Sequence, residues 1–160
     1  MTAVIATTSA DRTNTVTNNS ATFLMTNILP QAPDNNQGYW ANLENYARSL
    51  VLNQDKELYI IAGGYGQQGT IASGNVAIPS RLFKIIVVTT PGTGATGVTS
   101  STRVITIDTP NSNGDRDANW GSYRTTVDAI EAKTGYNFLS NVSSSVQSTI
   151  ESRVDSGLTQ

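Results

Sequence analysis

The segment TNILPQAPDNNQGYWANLENYARSL, Thr26 to Leu50, decides how this chain is read. It holds five Asn, two Gln, one Glu and one Arg, far more polar side chains than a packing segment needs. Pro30 and Pro33 interrupt the backbone ahead of it. From about Gln37 to Leu52 the apolar residues then recur with a helical period. At about 100° per residue, Trp40, Leu43, Ala47, Leu50 and Val51 share one face. Asn36 stands at the helix entrance, where an Asn side chain can cap free backbone N–H groups. Glu44 sits at the edge of the apolar face and Arg48 one turn further on, an i,i+4 pair.

Two readings fit these residues. In the first, Asn36 is a cap, Asn27 and Gln31 satisfy a turn, and Glu44–Arg48 is a surface ion pair. In the second, amide and carboxylate groups converge at the start and edge of one helix around a hydrated hard cation. Mg²⁺ retains most of its waters and needs only one or two protein oxygens, so one Asn carbonyl and a Glu acting through water suffice. Arg48 would then offer a planar fork to a phosphate.

Working outward, residues 1–20 are rich in Thr, Ser and Asn and read as an irregular lead-in. The run Phe23-Leu24-Met25 suggests a short strand ending near Asn27. The β-branched and aromatic stretches KELYIIAGG and RLFKIIVVTT predict two longer strands, and TRVITIDTP a third. SYRTTVDAIEAKTG predicts a short helix stopped by Gly135. SSSVQSTIESRV predicts a last helix, with Val146, Ile150 and Val154 at i,i+4 spacing. This order implies an α+β fold, a largely antiparallel sheet with flanking helices, in one domain over residues 21–160.

Composition excludes several chemistries. The chain of 160 residues has no Cys and no His, so it offers neither thiolate ligands nor an imidazole base or ligand. Its formal net charge is −2, so any nucleic-acid contact must come from a local patch. No stretch approaches the roughly 18–20 apolar residues of a membrane span, and the N-terminus lacks the pattern of a signal peptide. Gly64-Tyr65-Gly66-Gln67-Gln68-Gly69 matches G-x-G-x-x-G, but Gly74 and Pro79 deny it the following helix that a dinucleotide site requires. A glycine-rich hairpin loop is expected there. Asn113, Asp115, Asp117 and Asn119 alternate like a calcium loop but lack its closing Glu, so a solvated turn is expected. Asp128 and Glu131 read as solvating their helix.

The segment NILPQAPDNNQGYWANLENYARSL closely resembles the signature of the DNA/RNA non-specific endonucleases, the ββα-metal or His-Me finger nucleases. The likeness continues through ELYIIAGGYG, RLFKIIVV, SYRTTVDAIEAKTGYNFLS and VQSTIESRVD. It implies a ββα-metal fold and Mg²⁺-dependent hydrolysis of phosphodiesters in DNA and RNA. It assigns Asn36 as the direct metal ligand, Glu44 as the residue orienting the metal waters, and Arg48 as the phosphate contact. Asn27 and Gln31 are implied to support the substrate or the metal-binding Asn. The family's general base, the His of an Asp-Arg-Gly-His motif just before SADRT, has no counterpart here. The chain is therefore expected to represent the C-terminal part of such a nuclease, inactive alone. The resemblance also implies a secreted or periplasmic location for the intact protein and a protein inhibitor as a partner. The alternative is a non-catalytic Mg²⁺- or nucleic-acid-binding module, or a structural remnant.

Overall fold

The computed structural model describes residues 2–5, 13–21, 23–24 and 28–159. Its centre is an antiparallel sheet of β3 (Glu57–Tyr65), β6 (Arg81–Thr89) and β7 (Arg103–Pro110), in the order β3-β6-β7. These are the three strands expected from composition. Ile86 lies opposite both Ile60 and Ile105, and Lys84 opposite Ala62 and Ile107. The middle strand RLFKIIVVT is apolar on both sides because both sides are covered.

On one face, helix α3 (Ala41–Gln54) lays Leu43, Ala47 and Leu50 against Leu82, Ile86, Ile105 and Ile107. On the other, α4 (Val127–Thr134) and α5 (Ser144–Glu151) bring Val127, Ile130 and Ile150 onto Phe83, Ile85, Val87 and Val104. The period-two pleat assigns even and odd residues of β6 to opposite cores. Each fully buried Leu or Ile contributes roughly 1.5–3 kcal/mol, so β6 joins two cores that neither helix layer could build alone.

Thr126 accepts a hydrogen bond from the Ala129 N–H and caps α4, and Gly135, at φ 76°, ends it in the left-handed region. α5 stops at Glu151, leaving Val154 exposed beyond it rather than on the helical stripe. The loop carrying the false dinucleotide pattern is a hairpin, β4 (Gly69–Ile71) with β5 (Val76–Ile78).

The first quarter of the chain departs from expectation. Thr2–Ile5 form strand β1, paired antiparallel with β2 (Ile28–Gln31), and Val16–Ala21 form helix α1, so the lead-in is not wholly irregular. Phe23 and Leu24 lie in a turn, and Met25 and Asn27 fall outside the described residues. The strand is displaced to Ile28–Gln31 and includes Pro30, which β2 tolerates because among the described residues it pairs on one side only. No described helix is long and apolar enough to cross a membrane.

Candidate functional site

The entrance to α3 is not the simple cap that the sequence suggests. A short turn, α2 (Pro33–Asn35), runs into a kinked segment, Asn36–Trp40, before regular helix begins at Ala41. Gly38 takes φ −102°, ψ −119° inside that kink. It lies so close to the backbone carbonyl of Arg116 that a Cβ would collide with it. Glycine is required here for the approach of two backbones. Asn36 precedes the kink with helical φ and ψ, and its backbone N–H reaches the carbonyls of Ala32 and Pro33. Its side chain is half-buried, caps nothing, and makes no hydrogen bond to another described residue.

The neighbouring amides do the structural work instead. Gln31 is 0 % exposed, and its Nε2 donates to Asn35 Oδ1 at 2.5 Å. Asn35 in turn donates to Thr109 Oγ1 at 3.1 Å and to the Pro110 carbonyl at 2.7 Å. Asn111 accepts from the Ala32 N–H and donates to the carbonyls of Pro30 and Pro79. Buried amides of this kind join the entrance to the ends of β6 and β7, where unpaired backbone groups would be costly. Gln31, expected to support the substrate or the metal-binding Asn, is fully buried and braces the entrance next to Asn36 through Asn35. The calcium-like turn also proves structural. Asn113 Oδ1 accepts from the Asp34 N–H, and the Gly114 N–H donates to Asp34 Oδ2.

Glu44 and Arg48 stand on successive turns of α3. The i,i+4 pair expected between them is not the one formed. Glu44 Oε1 accepts from Lys84 Nζ at 2.9 Å, and Arg48 donates to Asn45 Oδ1 at 2.7 Å. Lys84 comes from the middle of β6, is only 3 % exposed, and stands 4.2 Å from the centre of the Trp40 ring. The Lys84 ammonium, drawn by the sheet into the α3 core, outcompetes a partly solvated guanidinium for the carboxylate. Asn45, beside Arg48, lines an open groove of about 460 Å³ with Asn42, Ser49, Asp117 and Asn119.

Charges elsewhere pair on other surfaces. Asp108 accepts from Arg81, Lys133 and Tyr65 on the opposite face of the sheet. Burial alone would raise its pKa, but those donors outweigh burial and hold the carboxyl below its usual value. Asp155 behaves likewise, with burial opposed by a two-pronged bond from Arg103 and by nearby Arg124. Asp128, Glu131 and Glu151 bring carboxylate oxygens within 4.8 Å of one another. Burial, with the two neighbouring acids, pushes the Glu151 carboxyl up.

The structure thus brings Glu44 and Arg48 together on α3, with Asn36 just before it. The sequence reading misses Lys84, although its signal is present: a single cation inside the apolar run LFKIIVV. A charge buried in a strand requires a partner on the layer above.

The chain is similar to known proteins in sequence and in fold. The DNA/RNA non-specific endonuclease family matches residues 7–145. A nuclease of Nostoc sp. is 51% identical over 148 residues, covering 92% of this chain and 53% of its own. The nuclease of Serratia marcescens is 28% identical over 134 residues, with 81% and 47% covered. Human mitochondrial endonuclease G is 26% identical over 133 residues, with 76% and 42% covered. The crystal structure of an EndoG/EndoGI complex superposes with a TM-score of 0.69 at 16% identity, over 89% of this chain and 60% of that one. The chain spans about half the length of these curated relatives. The match over residues 7–145 and the 51% identity to the Nostoc nuclease over 92% of this chain mean that the chain belongs to the DNA/RNA non-specific endonuclease family.

Proposed function

We propose that the start and outer edge of α3 form a Mg²⁺ and phosphate site for DNA and RNA, and that this chain binds there without cleaving. Family membership supports the substrate class, and one observation carries the site: the Asn36 side chain is half-buried and makes no hydrogen bond to a described residue, while Gln31, Asn35 and Asn111 beside it hold the entrance together. The residues fit the cation. A carbonyl oxygen at Asn36 and a carboxylate at Glu44 are the hard oxygen donors that Mg²⁺ takes, with water completing the shell. Glu44 has one oxygen engaged by Lys84, so its other oxygen serves to orient metal-bound water. Arg48 meets a phosphate through its guanidinium fork. Bound Mg²⁺ supplies positive charge against the negative charge that builds on a phosphate under attack. Such contacts go to the sugar-phosphate strand and leave the bases unread, which accounts for indifference to sequence.

Activation of water is the part these residues do not perform. The chain contains no His, and general-base assistance contributes about 10²–10⁴-fold. Pure protein with Mg²⁺ is expected to leave supercoiled plasmid intact, with an EDTA control for contaminating nuclease. Titration with Mg²⁺ is expected to show one saturable site that Asn36→Ala abolishes without lowering Tm. Metal-dependent nicking would overturn the inactive reading, and unchanged Mg²⁺ binding in Asn36→Ala would overturn the assignment of the site. A protein inhibitor is a second class of partner for the same face; the solved EndoG relative is in complex with one.

A further inference from the structure

We infer that Lys84 is the positioning residue of this site, acting on the metal through Glu44. The inference rests on the reading above and adds a residue that the family signature on α3 does not contain. Lys84 lies near the middle of β6, opposite Ala62 on one neighbouring strand and Ile107 on the other. It points into the core beneath α3, where the surrounding positions are Leu82, Ile86 and Ile107. Burying an ammonium among such residues is costly, and a Met or Leu would fill the same volume without that cost. A buried ion pair is weak grounds for stability, so the geometry points to a task at the carboxylate.

That geometry is specific. Nζ is 2.9 Å from Glu44 Oε1 and 4.2 Å from the centre of the Trp40 ring. Trp40 and Glu44 are four residues apart, successive turns of one helical column. The indole face therefore holds the ammonium from one turn while the carboxylate meets it on the next. With Oε1 held by a strand of the sheet, the orientations open to the Glu44 carboxylate are restricted, and Oε2 is the oxygen left for water on a cation. Without Lys84, a carboxylate only 16 % exposed loses its counter-charge and the constraint on its rotation. Lys84 touches neither metal nor phosphate in this scheme; its effect on either passes through Glu44.

A thermodynamic cycle tests this, because residues acting through one another are not additive. Mg²⁺ alone is titrated calorimetrically into the full chain and into Glu44→Gln, Lys84→Met and the double variant, with Tm recorded for each. Lys84→Met and Glu44→Gln are each expected to weaken Mg²⁺ binding several-fold. The double variant should bind no more weakly than Glu44→Gln, while its Tm recovers relative to Lys84→Met because position 44 no longer holds a buried carboxylate without its ammonium. Lys84→Arg, which keeps the charge but shifts its position, is expected to fold and to bind between wild type and Lys84→Met. If Lys84→Met fails to fold, the comparison of Lys84→Arg with and without Glu44→Gln supplies the cycle. Unchanged affinity in the Lys84 variants, or losses that multiply in the double variant, would overturn the inference while Asn36→Ala still reports on the site. Absence of saturable Mg²⁺ binding by the unsubstituted chain would overturn both.

Discussion

At the scale of single residues, burial decides which polar groups are structural and which are free to act. Gln31 and Asn35 are both fully buried and bonded to each other, whereas the side chain of Asn36, the next residue, is half-buried and makes no hydrogen bond to a described residue. Sequence order could not separate Asn35 from Asn36, since both are amides at one turn; only the backbone direction there does so. Glu151 illustrates the same rule for charge. It is 5 % exposed beside Glu131 and Asp128, with Gln147 donating to it, and its folded pKa is raised. A carboxyl with a raised folded pKa holds its proton in the native state over a range where the unfolded chain has released it. Stability therefore falls as pH rises through that range, and no difference remains below the unfolded value near 4.3. Glu151→Gln is expected to raise Tm by a few degrees at pH 7, with the gain vanishing by about pH 4. An equal gain at both pH values would refute the assignment.

At the scale of elements, the entrance to α3 shows how one residue without a side chain allows two segments to meet. The Arg116 carbonyl occupies the space a Cβ at Gly38 would need, and the turn around Asn113 and Gly114 is bonded to Asp34 on the other side. Gly38→Ala is expected to cost about 1–3 kcal/mol through overpacking against backbone, read as a lowered urea midpoint. Because the displaced segment carries Asn36, Mg²⁺ affinity should fall as well; a normal midpoint with normal affinity would show that the kink is not held by this contact. The three long strands, α4 and its Gly135 stop were all legible from composition and capping signals. The kink was not, because its cause is Arg116, far away along the chain.

At the scale of the whole molecule, two buried carboxylates link distant parts of the chain. Asp108 joins β7 to the start of β6 and to α4, and Asp155 joins the C-terminal segment to Arg103 on β7. Both have lowered folded pKa values. Their contribution is present above the unfolded value near 3.9 and is lost as pH falls through the lower folded values. The chain should lose stability steeply below about pH 4. Asp155→Asn is expected to cost about 2 kcal/mol at pH 7, below the range for fully buried pairs because Arg103 keeps contact with water. Its curve should converge with wild type in acid; parallel curves would refute this. Among the described residues β3 is an edge strand, with Tyr59 and Ile60 more than 40% exposed. Such an edge favours self-association, so Ile60→Lys is expected to shift sedimentation toward monomer at tens of micromolar protein.

The amino-acid order alone determined the elements of the sheet, the apolar face of α3, the absence of any imidazole and the family signature around Asn36, Glu44 and Arg48. These depend on local periodicity and residue identity, which are written in the chain directly. The tertiary structure decided which charge Glu44 meets, which amides brace the entrance to α3, and why Gly38 must be glycine. Each depends on a partner brought close only by the pleat of β6 or by the turn at 111–117. A carboxylate pairs with whichever cation the fold leaves nearest in the drier environment, and sequence spacing on one helix does not contain that information.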